Sequence, residues 1–244
     1  MQQRLDPLDG PPITFAHRGA RAHTRENTLE AFRLGLRLGA RGLESDAWLT
    51  ADGICVLDHD GVVRQGIRKR PITQLRRAEL PAHIPTLADL LDACPGDWHL
   101  SLDVKDDRVG PEIIRIIASA RPGLLGRLWL CHPALEVLTA LRAGAGPDGA
   151  LVRLVHSTRL SRLPTGPERH AMTLAERGID VLNLHHSEWT GGLATLVHRF
   201  GVRCFAWDLQ LEHQLEALLR MGMDGIYSDW SDRMTDAFRA TYPS

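Results

Sequence analysis

The stretch ITFAHRGARAHTRENTLEAFRLGLRLGARGLESDAWL (13–49) decides the fold class. It opens with a short apolar run, ITFAH (13–17), that reads as a buried strand. After a polar segment comes TLEAFRLGLRLGA (28–40), with Leu29, Phe32 and Leu36 at helical spacing. A second apolar run follows, GLESDAWL (42–49). Strand, helix, strand in this order predicts two parallel strands joined by a right-handed crossover.

The alternation continues outward from this unit. Further strand candidates are HLSLDVK (99–105), RLWLCH (127–132), LVRLVH (151–156), DVLNLHH (180–186), VRCFAW (202–207) and DGIYSD (224–229). Helical stretches lie between them at 86–94, 111–120, 133–144, 171–178, 193–201 and 211–222. Eight strands alternating with helices in 244 residues predict a single (β/α)8 TIM barrel spanning 1–244, since that fold typically takes ~250 residues. An extended run, ICVLDHD (54–60), and the polar segment at about 60–85 interrupt the alternation. They predict a small excursion after the second strand, above the barrel mouth. An open doubly wound sheet would usually carry a glycine-rich phosphate loop after strand one. Here that strand runs into His17-Arg18-Gly19 instead.

Composition narrows the function classes. The formal net charge is -1, and aromatic residues make up 5% of the chain. No global field recruits nucleic acid, so none is expected as a partner. No apolar run approaches the ~20 residues of a membrane span. The polar start, MQQRLDPLDGPP, has no apolar core of a signal peptide, and the four cysteines show no C-x-x-C pair. A reduced, cytoplasmic protein is the expectation. Oligomeric state is not readable.

Active sites of such barrels gather at the carboxyl ends of the strands. Those ends carry His17-Arg18, Glu44 and Asp46, Asp103 and Lys105, His132, His156, His185-His186, Trp207-Asp208 and Asp229; His59 ends the extra run. Glu44 and Asp46 stand at i and i+2, so both carboxylates point to one side of a strand. Like charges side by side need compensation. With Asp103 they suit a hard divalent cation, which prefers oxygen ligands; ion pairs to barrel arginines without metal are the structural alternative. His17 and His59 are candidate acid/base groups, as imidazole serves both roles near neutral pH. Arg18 and Lys105 are candidate phosphate-binding groups, although Arg18 could equally pair with Glu44. Trp207 reads either as a platform for substrate or as core packing.

The block 17–60 resembles the signature of the glycerophosphodiester phosphodiesterase family. His-Arg-Gly, Glu-Asn-Thr, an amphipathic helix, Gly-Ala, Glu-x-Asp, Thr-x-Asp-Gly and His-Asp follow in order. IPTLADLL (84–91), LDVK (102–105), FAWDLQ (205–210) and MDGIYSDW (223–230) also look familial. The resemblance implies metal-dependent hydrolysis of small glycerophosphodiesters to glycerol 3-phosphate and an alcohol, through a cyclic phosphate. It implies His17 and His59 as the acid/base pair, and Glu44, Asp46 and Asp103 as ligands of one divalent cation, Mg2+ or Ca2+. Arg18 and Lys105 would hold the phosphate, and Glu26 and Asn27 would brace the site, with Asn27 alternatively capping helix 28–40. Arg25 stands where proline is common, and Asp103 where glutamate is frequent. Competing readings are a cyclising lyase of the phospholipase type, a lysophospholipase D, and a non-catalytic ligand-binding barrel.

Overall fold

The computed structural model describes residues 4–65, 68–144 and 146–243. Gly66 and Ile67 of the expected excursion, and the first three residues of the polar amino-terminal stretch, lie outside the described residues.

Eight parallel strands form the barrel. They are β1 (Ile13–Ala16), β2 (Gly42–Leu49), β6 (His99–Val104), β7 (Leu128–His132), β8 (Arg153–Ser157), β9 (Val181–His185), β10 (Arg203–Trp207) and β11 (Gly225–Ser228). Each pairs with the next, and β1 closes the ring by pairing with both β2 and β11. The intervening strands leave the barrel. β3 (Cys55–Leu57) runs antiparallel to β2, with Ala47 opposite Leu57, and β4 (Val62–Gln65) pairs with β5 (Arg68–Pro71) in a separate hairpin.

Helices α1 (Leu29–Arg37), α2 (Leu87–Ala93), α3 (Val109–Ala120), α4 (Leu135–Gly144), α5 (Gly146–Leu151), α6 (Gly166–Glu176), α7 (Gly191–His198), α8 (Glu212–Arg220) and α9 (Ser231–Thr241) lie between or after the strands. Their starts follow local chemistry. Thr28 caps α1, its hydroxyl accepting from the Ala31 amide at 3.2 Å. Asn27 is therefore not the cap that the sequence allowed; it sits one residue earlier, with φ 53°. Thr86 and Asp89 form a reciprocal capping box on α2. The short α5 and the last helix, α9, are additions to the sequence-based expectation.

Two apolar layers hold the fold. The outer one lies between strands and helices and includes Leu43, Leu100, Leu130, Leu182 and Ile226. The inner one fills the barrel with Phe15, Trp129, Phe205 and Tyr227. Phe15 stacks on Tyr227 at 4.8 Å, and Trp129 tilts onto Phe205 at 5.0 Å. Full burial of each such side chain contributes roughly 1.5–3 kcal/mol. This packing explains two glycines. A Cβ on Gly42 would stand 2.6 Å from the Phe15 ring, and one on Gly225 would stand 2.6 Å from the Phe205 ring. Both glycines are direct register partners of those phenylalanines. The aromatic layer forms the floor beneath the barrel mouth.

The segment after β3 has its own small cluster: Val56, Val63, Ile72, Leu75, Leu80 and Ile84, against Trp48. No helix among the described residues is long and apolar enough to cross a membrane.

The substitution Gly225→Ala should destabilise the fold by about 1–3 kcal/mol, because the Phe205 ring must move to admit the methyl group. Denaturant unfolding of the variant measures this. An unchanged midpoint would show that the aromatic floor yields freely.

Candidate active site

Strand β2 turns alternate side chains into the barrel, so Gly42, Glu44 and Asp46 share its inner face. Parallel register then sets Asp103 of β6 beside Asp46, and Ser101 beside Glu44. Oxygens of Glu44, Asp46 and Asp103 lie within 4.8 Å of one another. Glu44 and Asp46 are buried and Asp103 is half-buried.

Positive groups converge on this cluster. The Lys105 ammonium stands 3.0 Å from both Asp46 and Asp103. Burial works against its charge, but the two carboxylates hold its pKa above the ordinary lysine value. The Arg18 Nε lies 3.5 Å from Asp46, and its terminal nitrogen donates to Glu26 at 3.1 and 3.2 Å. The backbone amide of Arg18 donates to Glu44 at 2.9 Å, so the expected Arg18–Glu44 contact is made by main chain.

That amide is aimed by an unusual backbone. Arg18 has φ 50°, in the left-handed region that non-glycine residues rarely adopt. Gly19 follows at φ 77°, and a Cβ there would sit 2.6 Å from the Ala31 backbone. The His-Arg-Gly run thus needs glycine for both conformation and space. The Asn27 backbone N–H donates to the Arg18 carbonyl at 3.0 Å. Its side-chain oxygen accepts from the Ser45 hydroxyl at 2.7 Å, between the two carboxylates of β2.

His17 emerges at the end of β1. Its Nδ1 meets Asp229 at 2.6 Å, and its Nε2 lies 3.8 Å from Glu44. Asp229 accepts, so the proton sits on Nδ1 and Nε2 faces the cluster. Burial pulls the His17 pKa down. The Glu44 charge and the Asp229 hydrogen bond outweigh it, and the net shift is upward. Asp229 had only its strand-end position to mark it in the sequence, since its partner lies 212 residues away.

Glu44 is the electrostatic weak point. Burial pushes its pKa up to about 8; His17 opposes this, and Asp46 and Asp103 add to it. Asp46 Oδ2 is buried without a hydrogen-bond partner among the described residues. An oxygen-lined cluster short of positive charge fits a hard divalent cation, which would draw the Glu44 pKa back down.

A cavity of about 450 Å³ opens over these groups, lined by His17, Arg18, Glu44 and Asp103 on one wall. Ser157, Asn183, Trp207 and Asp208 line the opposite wall, and Cys131 and Tyr227 also face it. None of these last residues except Trp207 stood out as a site residue in the sequence. The Trp207 ring is pinned by Arg159 over one face at 4.5 Å and by His185 edge-on at 4.7 Å.

His59 does not line this cavity. It follows β3, bonds Asp60 at 2.8 Å, and borders an adjoining concavity with Arg25, Glu26, Asn27 and His83. The two concavities meet at the Arg18–Glu26 ion pair.

Fold and site together define a (β/α)8 barrel with a histidine and a carboxylate cluster at its mouth. Residues 17–107 match the model of the glycerophosphoryl diester phosphodiesterase family. The chain is 29% identical over 252 residues to a Mycobacterium tuberculosis protein named "Probable glycerophosphodiester phosphodiesterase 2", covering 95% of this chain and 92% of that one. A glycerophosphodiester phosphodiesterase structure from Thermotoga maritima superposes with TM-score 0.78 at 20% identity, covering 93% of this chain and 99% of that one. An Oleispira antarctica phosphodiesterase, solved with its product sn-glycerol-3-phosphate, superposes with TM-score 0.74 at 21% identity, covering 93% and 96%. Over residues 17–107 the chain is thus similar to the glycerophosphoryl diester phosphodiesterase family, and its barrel is similar in fold to these solved structures.

Asp229→Asn should lower the His17 pKa, since an amide no longer stabilises the imidazolium. NMR titration of the His17 ring reads the shift. A pKa that stays or rises would remove Asp229 as the group that holds His17.

Proposed function

We propose that this protein hydrolyses small glycerophosphodiesters to glycerol 3-phosphate and an alcohol. The observation that carries the reading is the convergence of His17 Nε2, the Arg18 and Lys105 cations and three carboxylates at one barrel mouth. Such an arrangement receives a phosphoryl group and moves a proton beside it.

The chain's residues divide the work. Arg18 and Lys105 hold phosphoryl oxygens as negative charge accumulates. Glu26 keeps the Arg18 guanidinium in place, and Asn27 ties the Arg18 backbone to β2. His17 and His59 form the acid/base pair. One takes the proton from the glycerol hydroxyl beside the phosphodiester as that oxygen attacks phosphorus. The other gives a proton to the departing alcohol. Water then opens the cyclic phosphate, with the two histidines exchanging roles, and glycerol 3-phosphate leaves. Asp229 fixes the His17 tautomer, and Asp60 accepts from His59. Trp207 bounds the substrate on the far wall.

Glu44, Asp46 and Asp103 would hold one divalent cation, Mg2+ or Ca2+. When bound, it offsets negative charge on the phosphoryl oxygens and lowers the pKa of the attacking hydroxyl. One barrel domain spans the chain in this reading, with the segment at about 60–85 carried as an insertion. The four buried, free cysteines suit a reducing, cytoplasmic setting.

The direct test is turnover of glycerophosphocholine after EDTA treatment, with Mg2+ or Ca2+ added back. Metal-restored release of glycerol 3-phosphate is expected. No release with either ion, or release of cyclic phosphate alone, would overturn the hydrolytic reading. Asp46→Asn should weaken cation affinity at least about tenfold by calorimetry, as loss of a charged oxygen ligand predicts; equal affinity would place the cation elsewhere. His17→Ala and His59→Ala should each reduce kcat by roughly 10²–10⁴ with the melting curve preserved. A near-normal rate in either would take that histidine out of the reaction.

A further inference from the structure

The amino ends of the barrel strands, opposite the carboxylate cluster, carry a second concentration of charge. Side chains two apart on a strand share a face. Val155 and Phe205 belong to the inner apolar layer, and Ser101 shares a hydrogen bond with the Tyr227 hydroxyl of that layer. Two residues before each stand Arg153, Arg203 and His99, the first residues of β8, β10 and β6. Bulky branched side chains usually fill such layers of a barrel. Here two guanidinium groups and an imidazole occupy three of the positions. They gather around Trp129 of β7. The indole donates to His99 Nδ1 at 3.2 Å, the Arg203 guanidinium lies 6.0 Å from the ring centroid, and Arg153 is the direct register partner of Trp129. Arg41, just before β2, joins them, its carbonyl accepting from the His99 backbone amide at 3.0 Å. These residues line a cavity of about 250 Å³.

The cavity is rich in donors and poor in acceptors. Because the indole donates to Nδ1, the His99 proton sits on Nε2, which has no acceptor among the described residues. Burial and the charges of Arg41 and Arg127 press the His99 pKa down to about 4, so the ring is neutral. Arg41 donates to the Pro11 and Pro12 carbonyls at 3.2 and 2.8 Å, and no carboxylate pairs with it among the described residues. Arg153 spends one terminal nitrogen on Asp180, and Arg203 one on Asp9. Their side chains are 42% and 17% exposed, so both remain open to solvent. Two carboxylates also line the cavity. Asp224 is already committed, its oxygens accepting from the Leu8 and Cys204 amides and from His198. Asp9 is 61% exposed and meets Arg203 through one oxygen.

We propose that this layer is an anion site that takes a phosphoryl group. Three guanidinium groups and the His99 N–H offer donors to the several acceptor oxygens of a tetrahedral oxyanion. The anion displaces the exposed Asp9 carboxylate from Arg203 and answers the Arg41 charge, which only carbonyls meet in the protein. Through Arg41 it also ties the Pro11-Pro12 stretch to β6, β8 and β10, so its binding stabilises the closed barrel by mass action. The volume admits inorganic phosphate and a small phosphate monoester alike. Nothing in this chemistry depends on turnover at the other end of the barrel.

The test is an NMR titration of the full chain with inorganic phosphate at pH 7 and constant ionic strength, following the His99 Nε2 resonance. A saturable shift is expected, with a rise in melting temperature over the same concentrations. Arg153→Gln and Arg203→Gln should each weaken binding about tenfold or more, as loss of a charge-assisted hydrogen bond predicts. Should R203Q fail to fold, Arg203→Lys keeps the charge and should keep most of the affinity. Asp9→Asn alters an exposed residue and removes the competing carboxylate, so it should bind phosphate more tightly than wild type. sn-Glycerol 3-phosphate is titrated in parallel: tighter binding read at His99 assigns a monoester as the occupant, and equal binding assigns the free ion. No saturable shift with either ligand would overturn the site. So would the same shift with chloride, a shift that both glutamine variants leave unchanged, or binding no tighter in D9N.

Discussion

Glu44, Asp46 and Asp103 bring three carboxylates within 4.8 Å at the mouth of a closed barrel. Their mutual repulsion, with two of them buried, is the constraint around which the site is built. Lys105 comes from the same strand end as Asp103, and Arg18 reaches over from the end of β1. Each answers part of the charge. The Arg18 backbone adopts φ 50° to aim its amide at Glu44, a conformation of the kind that costs of order 1–3 kcal/mol. Asn27, at φ 53°, ties the same loop to Ser45. Two non-glycine residues in left-handed conformations within ten positions are the local consequence of gathering these charges.

Rigidity comes from below. The aromatic layer of Phe15, Trp129, Phe205 and Tyr227 leaves no room for side chains at Gly42 and Gly225. Gly42 begins the strand that bears Glu44 and Asp46, and Gly225 begins the strand that leads to Asp229. The packing that fixes those strands therefore fixes both the carboxylates and the partner of His17. Tyr227 closes the link, since its hydroxyl shares a hydrogen bond with Ser101, the register neighbour of Glu44.

Much of this was legible in the residues. Alternating apolar runs located all eight barrel strands, because a parallel strand buried on both faces leaves a continuous apolar trace. The i, i+2 spacing of Glu44 and Asp46 by itself puts both carboxylates on one face of the strand. What escaped reading depended on pairing across the ring. Asp229 acquires meaning only beside His17, 212 residues away. Asn183 lies inside an apolar run, where a lone polar residue gives no sign of which way it faces. The last helix was missed because SDRMTDAFRAT is polar around much of its length, and its apolar stripe is Met234, Ala237 and Phe238.

The placement of His59 follows from β2 as well. That strand continues past the carboxylates to pair antiparallel with β3, so the chain returns alongside it and delivers Asp58 and His59 near its end. The Asp58 amide donates to the Asp46 carbonyl at 3.0 Å, and the Trp48 indole donates to the Asp58 carbonyl at 2.8 Å. Asp58 in turn accepts from the Gly61 amide at 2.8 Å, and Gly61 packs against Trp48 so closely that a Cβ there would overlap the ring. A single strand thus carries two carboxylates on its inner face and, through Trp48 and the Asp46 carbonyl, anchors the turn that bears the second histidine. His59 rides on this anchored turn rather than on a free loop, although it opens onto a different concavity from His17. Its position is coupled to Asp46 by main chain, so any change that shifts β2 moves the carboxylates and His59 together.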